Sequence, residues 1–173
     1  MVGAFGAALC AMVARITAAG ARYASVRPDA EAIVALADAL RERFAAARLT
    51  DESAYQRVVY ASALPKTTDD EKRERTAKLQ AALAGAAEAP LAAAGMAAEG
   101  LALARRAEAL GNTHLVSDVE CARAFLWAAL EASAANVRIN HRFMHDAELV
   151  RAQDERLLAI LAAARGTQIA GEG

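Results

Sequence analysis

Residues 28–44 read PDAEAIVALADALRERF. Ile33, Leu36, Ala37, Leu40 and Phe44 fall at i, i+3, i+4, i+7 and i+11, the apolar stripe of an amphipathic helix. Arg41, Glu42 and Arg43 lie on its solvent side, and Pro28 suits its first turn. The same period of 3.6 recurs in every long segment on either side. No segment alternates with period 2 over enough residues to make a strand, and no Asn-Gly hairpin signal occurs.

Working outward, Val2 to about Ala21 is apolar almost all round, as expected of a central buried helix. Thr50-Asp51-Glu52-Ser53 offers a cap and an acidic first turn for a third helix, which Pro65 stops. Thr68 with Glu71 makes a capping box for a fourth, expected to end before Pro90. Leu91 to Leu110 makes a fifth, with Gly111-Asn112 as its stop. Ser117-Asp118 opens a sixth that runs to about Asn140. A break at 141–146 precedes a seventh that Gly166 ends, and 171–173 should fray. The expectation is an all-α bundle of about seven helices in one domain, 1–173, without repeats or flexible linkers.

Composition narrows the function. The 173 residues are 56% hydrophobic and 5% aromatic, with a net charge of -1. No basic excess exists to bind a phosphate backbone, so nucleic acid is excluded as a partner. The apolar run from Met1 ends at Arg15, short of the roughly 20 residues a membrane span needs. Nothing cationic precedes it as in a signal peptide, so a cytoplasmic protein is expected. Cys10 and Cys121 are expected to be small, buried, reduced thiols. Alanine dominates the chain. It is the best helix former and lets helices approach closely, but each alanine buries little area. A bundle built this way gains from burying more surface against a second copy, so a homodimer is expected.

Few residues point to chemistry by themselves. No P-loop, dinucleotide fingerprint, HExxH or GxSxG is present. His141 and His145 are four apart, as zinc ligands on one helix face would be, but the helix breaks there and no metal site is expected. Lys66 sits in the loop after Pro65, at an exposed mouth between two helices. Asp118 in a first turn complements the helix dipole. Asn112 reads as a turn residue. Asn136 and Asn140 are amides one turn apart on an apolar helix, so they either pin a neighbour or face a polar cleft. Asp118 and Asn136 share a helix face but stand roughly 27 Å apart, too far for one small site within a single chain.

Taken together, LPKTTDDEKRERTAKLQAAL, EAPLAAA, GNTHLVSD and ANVRIN resemble, in order and spacing, the formiminotransferase-cyclodeaminase C-terminal and methenyltetrahydrofolate cyclohydrolase family. GAFGAALCAMVARIT is similar to that family's first helix, and Asp51 to Tyr55 to its acidic-aromatic segment. The resemblance implies an all-α, homodimeric enzyme that binds reduced folate in a crevice between subunits. It implies no metal and no cofactor beyond the tetrahydrofolate derivative as substrate. It implies either closure of a formimino group with loss of ammonia, or hydrolytic opening of the methenyl bridge. Carried onto this chain, it points to Asp118 as general acid/base and Lys66 as partner for substrate charge. Asn112, Ser117, Asn136 and Asn140 are the implied substrate-binding residues. The family's glycine run would precede Met1-Val2-Gly3 and is expected to be missing. Arg22 stands where the family has lysine, and His114 where asparagine is common. Two further readings stay open: a folate-binding relative without catalysis, and a helical interaction module without a small ligand.

Overall fold

The computed structural model describes residues 2–169. Among them are five α-helices: α1 (Val2–Ala19), α2 (Arg27–Ala63), α3 (Asp69–Ala109), α4 (Val116–His141) and α5 (Ala147–Ile169). Short 3-10 helices at Ala21–Val26 and Thr113–Leu115 join α1 to α2 and α3 to α4.

The expected seven become five because two anticipated breaks do not occur. At the first, α2 runs straight through Thr50-Asp51-Glu52-Ser53. Thr50 turns its hydroxyl back to the Ala46 carbonyl, 3.4 Å away, and Arg48 pairs with Glu52 at 3.4 Å, so both act as mid-helix residues. At the second, α3 continues through Pro90. Proline has no N–H for the carbonyl four residues back, that of Ala86. The Asn140 side-chain amide supplies the missing donor from α4 at 3.1 Å. A third difference is that α5 passes Gly166 and continues to Ile169, the last described residue. Residues 171–173 lie outside the described residues.

The remaining boundaries follow their local signals. Pro28 occupies the first turn of α2. Thr68 and Glu71 close the capping box: Glu71 N–H donates to Thr68 Oγ1 at 3.2 Å and Thr68 N–H to Glu71 Oε2 at 2.9 Å. The backbone donors of Thr68 and Thr67 hold the Glu71 carboxyl below the usual carboxylate range. Gly111, at φ 74°, takes the left-handed conformation that ends α3. Asp146 accepts from the N–H groups of Glu148 and Leu149 and starts α5.

Helices α1 to α4 form an up-down bundle. Its main core gathers Leu40 and Phe44 of α2, Leu91 and Leu101 of α3, and Leu126 and Leu130 of α4. A second cluster joins Val13, Ile33, Leu110 and Val119 near the 3-10 turns. Small residues set the helix spacing. A Cβ at Gly6 would stand 2.5 Å from Leu126 Cγ, and one at Gly100 would overlap the same side chain. Leu126 therefore fills a slot between two glycines on α1 and α3. By length and composition α1 and a window of α3 could cross a membrane, but 44% of each window is buried in the bundle.

Beyond the bundle, the second half of α2 and the first half of α3 continue as an antiparallel arm tipped by the 64–68 loop. Helix α5 docks along α3 through Leu157 and Leu161 and a polar chain. Arg156 grips both oxygens of Glu88 at 2.7 and 3.0 Å. Gln153, 2% exposed, donates to Glu88 and accepts at His141 Nε2. Cys10 is buried, which pushes its thiol up to about 12. Cys121 was expected to be buried as well; it is exposed on the outer face of α4, which packs on α1 and α3 through its other side.

Candidate functional site

The six sequence-derived site residues fall into three places. Asn112, Ser117 and Asp118 lie where α3 turns into α4. The Asn112 amide is fully engaged there. Its Oδ1 accepts from Tyr23 Oη and from the His114 N–H, both at 3.2 Å, and its Nδ2 donates to Thr17 Oγ1 at 3.0 Å. Thr17, completely buried, passes the chain on to the Val13 carbonyl at 2.8 Å. Asn112 thereby ties α1 and the two 3-10 helices together. Ser117 is exposed and Asp118 half-buried in the first turn of α4.

Asn136 and Asn140 lie near the other end of α4, roughly 27 and 33 Å from Asp118 at helical rise. Here the structure does bring residues together. A cavity of about 400 Å³ opens between α2, α3 and α4. Asp51 and Tyr55 of α2, Pro90 of α3, Asn136 and Asn140 of α4, and Phe143 just past α4 line it. A second cavity of about 200 Å³ adjoins it, shares Asp51, Pro90 and Asn136, and adds Arg48 and Ser133. The two form one groove, with Asp51 and Asn136 at their junction. Asn140 gives both amide hydrogens to backbone carbonyls, Ala86 at 3.1 Å and Asn136 at 2.9 Å, which leaves its Oδ1 as an acceptor. Gln80 fixes the turn beyond, donating to the Phe143 carbonyl and accepting from the His145 N–H.

Lys66 stands exposed at the tip of the arm, just past the end of α2, which itself lies about 18 Å beyond Asp51 at helical rise. A single chain thus places Lys66, Asp51 with the two asparagines, and Asp118 in succession along the molecule. His141 is not free for a ligand: its ring nitrogens face Asp154 at 3.1 Å and Gln153 at 2.9 Å.

Asp51, Tyr55 and Phe143 are groove residues that motif and spacing arguments did not single out as a site. The signal for them is present in the sequence. Asp51 and Tyr55 are one turn apart on α2, and Phe143 is a large apolar residue at a helix break. Joining them requires the antiparallel pairing of α2 with α3 and the return of α4.

The relatives of the chain agree with this architecture. The formiminotransferase-cyclodeaminase family model matches residues 1–159. A methenyltetrahydrofolate cyclohydrolase of Methylorubrum extorquens is 33% identical over 162 residues, 94% of this chain and 78% of the relative. The crystal structure of a formiminotetrahydrofolate cyclodeaminase from Thermotoga maritima superposes with a TM-score of 0.84 at 27% identity, over 96% of this chain and 79% of that one. A match across residues 1–159, groove included, shows that the chain belongs to the formiminotransferase-cyclodeaminase family.

Proposed function

We propose that the chain is an enzyme of folate one-carbon chemistry, a formiminotetrahydrofolate cyclodeaminase or a 5,10-methenyltetrahydrofolate cyclohydrolase. The observation that carries this reading is the family match, which spans every residue of the groove. In the first reaction N10 attacks the formimino carbon of 5-formiminotetrahydrofolate whose imino nitrogen is already protonated. The new C–N10 bond forms, N10 loses its proton, the departing nitrogen gains one, and ammonia leaves. In the second, water adds to the methenyl carbon, the C–N5 bond breaks, N5 takes one proton and another is released, giving 10-formyltetrahydrofolate. Both need a group that accepts a proton from the nucleophile and returns one to the leaving nitrogen, as a carboxylate can.

Asp118 is our candidate for that group, and the active form is then a homodimer. Helix α4 carries an outward stripe of Asp118, Cys121, Phe125, Ala128, Ala132, Asn136 and Ile139, at successive three- and four-residue spacings. Phe125 packs beside the exposed Phe5 of α1, ring centroids 6.3 Å apart, and Ile16 extends the same apolar face. Two α4 helices crossing antiparallel at the level of position 127 would set Asp118 opposite Asn136 of the partner subunit. Asn112 and Ser117 flank Asp118 in sequence at the same end of α4, Asn112 bracing the turn before it, and are our candidates for holding substrate there. Lys66 at the arm tip supplies positive charge for the glutamate tail. This chemistry uses no cofactor beyond the folate substrate.

The test follows the absorbance of 5,10-methenyltetrahydrofolate. Catalysed loss identifies a cyclohydrolase, and formation from 5-formiminotetrahydrofolate identifies a cyclodeaminase. Silence in both assays would overturn the reading.

A further inference from the structure

The acid–base chemistry above leaves the main features of the groove unused. Asp51 borders both cavities, yet it forms no ion pair or hydrogen bond among the described residues; nearby Arg48 turns to Glu52 instead. Tyr55 and Phe143, 64% and 61% exposed, reach the same cavity from two different elements. The Asn136 side-chain amide has no partner among the described residues, and Asn140 presents only its oxygen. The groove therefore offers an anionic two-oxygen acceptor, a free amide and two uncovered aromatic faces.

That set fits a flat heterocycle with two neighbouring N–H donors on one edge. A 2-amino-4-oxopyrimidine ring has this edge: its N3–H and 2-amino group are spaced to meet the two oxygens of one carboxylate. The exposed rings supply stacking surface for it. We propose that the groove is the pterin subsite. Asp51 clasps the N3–H and 2-amino edge, the bicyclic ring lies against Tyr55 and Phe143, and Asn136 donates to the 4-oxo group. This assignment rests on the folate reading and adds which end of the substrate sits here. With the pterin at Asp51, the tail has about 18 Å of arm to follow toward Lys66.

Calorimetric titration of the full chain tests it, with 5-formyltetrahydrofolate, 6-hydroxymethylpterin, guanosine and p-aminobenzoylglutamate as probes. Wild-type protein should bind the first two. Asp51→Asn, isosteric and on an exposed helix face, should weaken both by at least about tenfold, the loss of charge-assisted bonds, and leave p-aminobenzoylglutamate unchanged. Tyr55→Ala and Phe143→Ala should each weaken the pterin severalfold, with helicity by circular dichroism held constant. If wild-type protein binds 5-formyltetrahydrofolate and Asp51→Asn binds it equally well, the subsite is wrong and the folate reading survives. If wild-type protein binds no reduced folate, both fall. Guanosine shares the donor edge, and its binding more tightly than either pterin probe would reassign the groove to a purine.

Discussion

Pro90 leaves the Ala86 carbonyl without its helical donor, and Asn140 replaces that donor from another helix. A helix that loses a bond to proline commonly kinks or ends, at a cost of about 3 kcal/mol or more. Here the side-chain amide restores the bond and lets α3 continue along α2 and α4. The exchange gives Asn140 a structural duty beside whatever ligand its oxygen meets. Asn140→Ala should therefore destabilise the fold by roughly 1–3 kcal/mol, the cost of an orphaned, partly buried carbonyl. Pro90→Ala returns the N–H, so in that background the same substitution should cost well under half as much. Urea midpoints of the four proteins measure the coupling, and equal costs in both backgrounds would refute it. An amide on an apolar helix is legible in the sequence as a group in need of a partner. Its partner is not, because it stands 54 residues away and is freed by a second residue whose local reading is a helix stop.

The helix stops show where local signals give way to packing. Thr50 to Ser53 are good capping residues, but α3 runs beside α2 over its whole length and rewards an unbroken helix more than a cap. At Thr68 the same chemistry does open a helix, because Pro65 and the extended Leu64 have already ended the one before. Helix α5 depends on a more polar contact. Arg156 and then Gln153 hold the Glu88 carboxyl below its ordinary range. A depressed carboxylate contributes stability above the ordinary carboxylate range and loses it as pH falls through its own lower titration. Both partners are about half exposed, so the contribution is discounted to about 1 kcal/mol or less. Glu88→Gln should lower the urea midpoint at pH 7 and bring it together with wild type near pH 2. A gap that persisted at pH 2 would mean the ion pair is not what docks α5.

At the scale of the whole molecule, the all-helical class was legible from the 3.6-residue period, because the helices of the bundle bury apolar stripes in its two core clusters. The groove was not, because its walls come from three helices that meet only after α2 and α3 pair as an arm. The distance along α4 between Asp118 and Asn136 was legible too, and it turns the proposed dimer into a quantitative claim. If each site takes Asp118 from one subunit and Asn136 from the other, Asp118→Asn and Asn136→Ala homodimers are both inactive. Unfolding and refolding an equal mixture places the two kinds of chain together in half of the dimers. In each mixed dimer one site carries both substitutions and the other carries neither. Activity should return to about a quarter of the wild-type rate, since half the dimers regain one of their two sites. A site contained within one chain predicts no recovery, because every site in the mixture would then still carry one substitution.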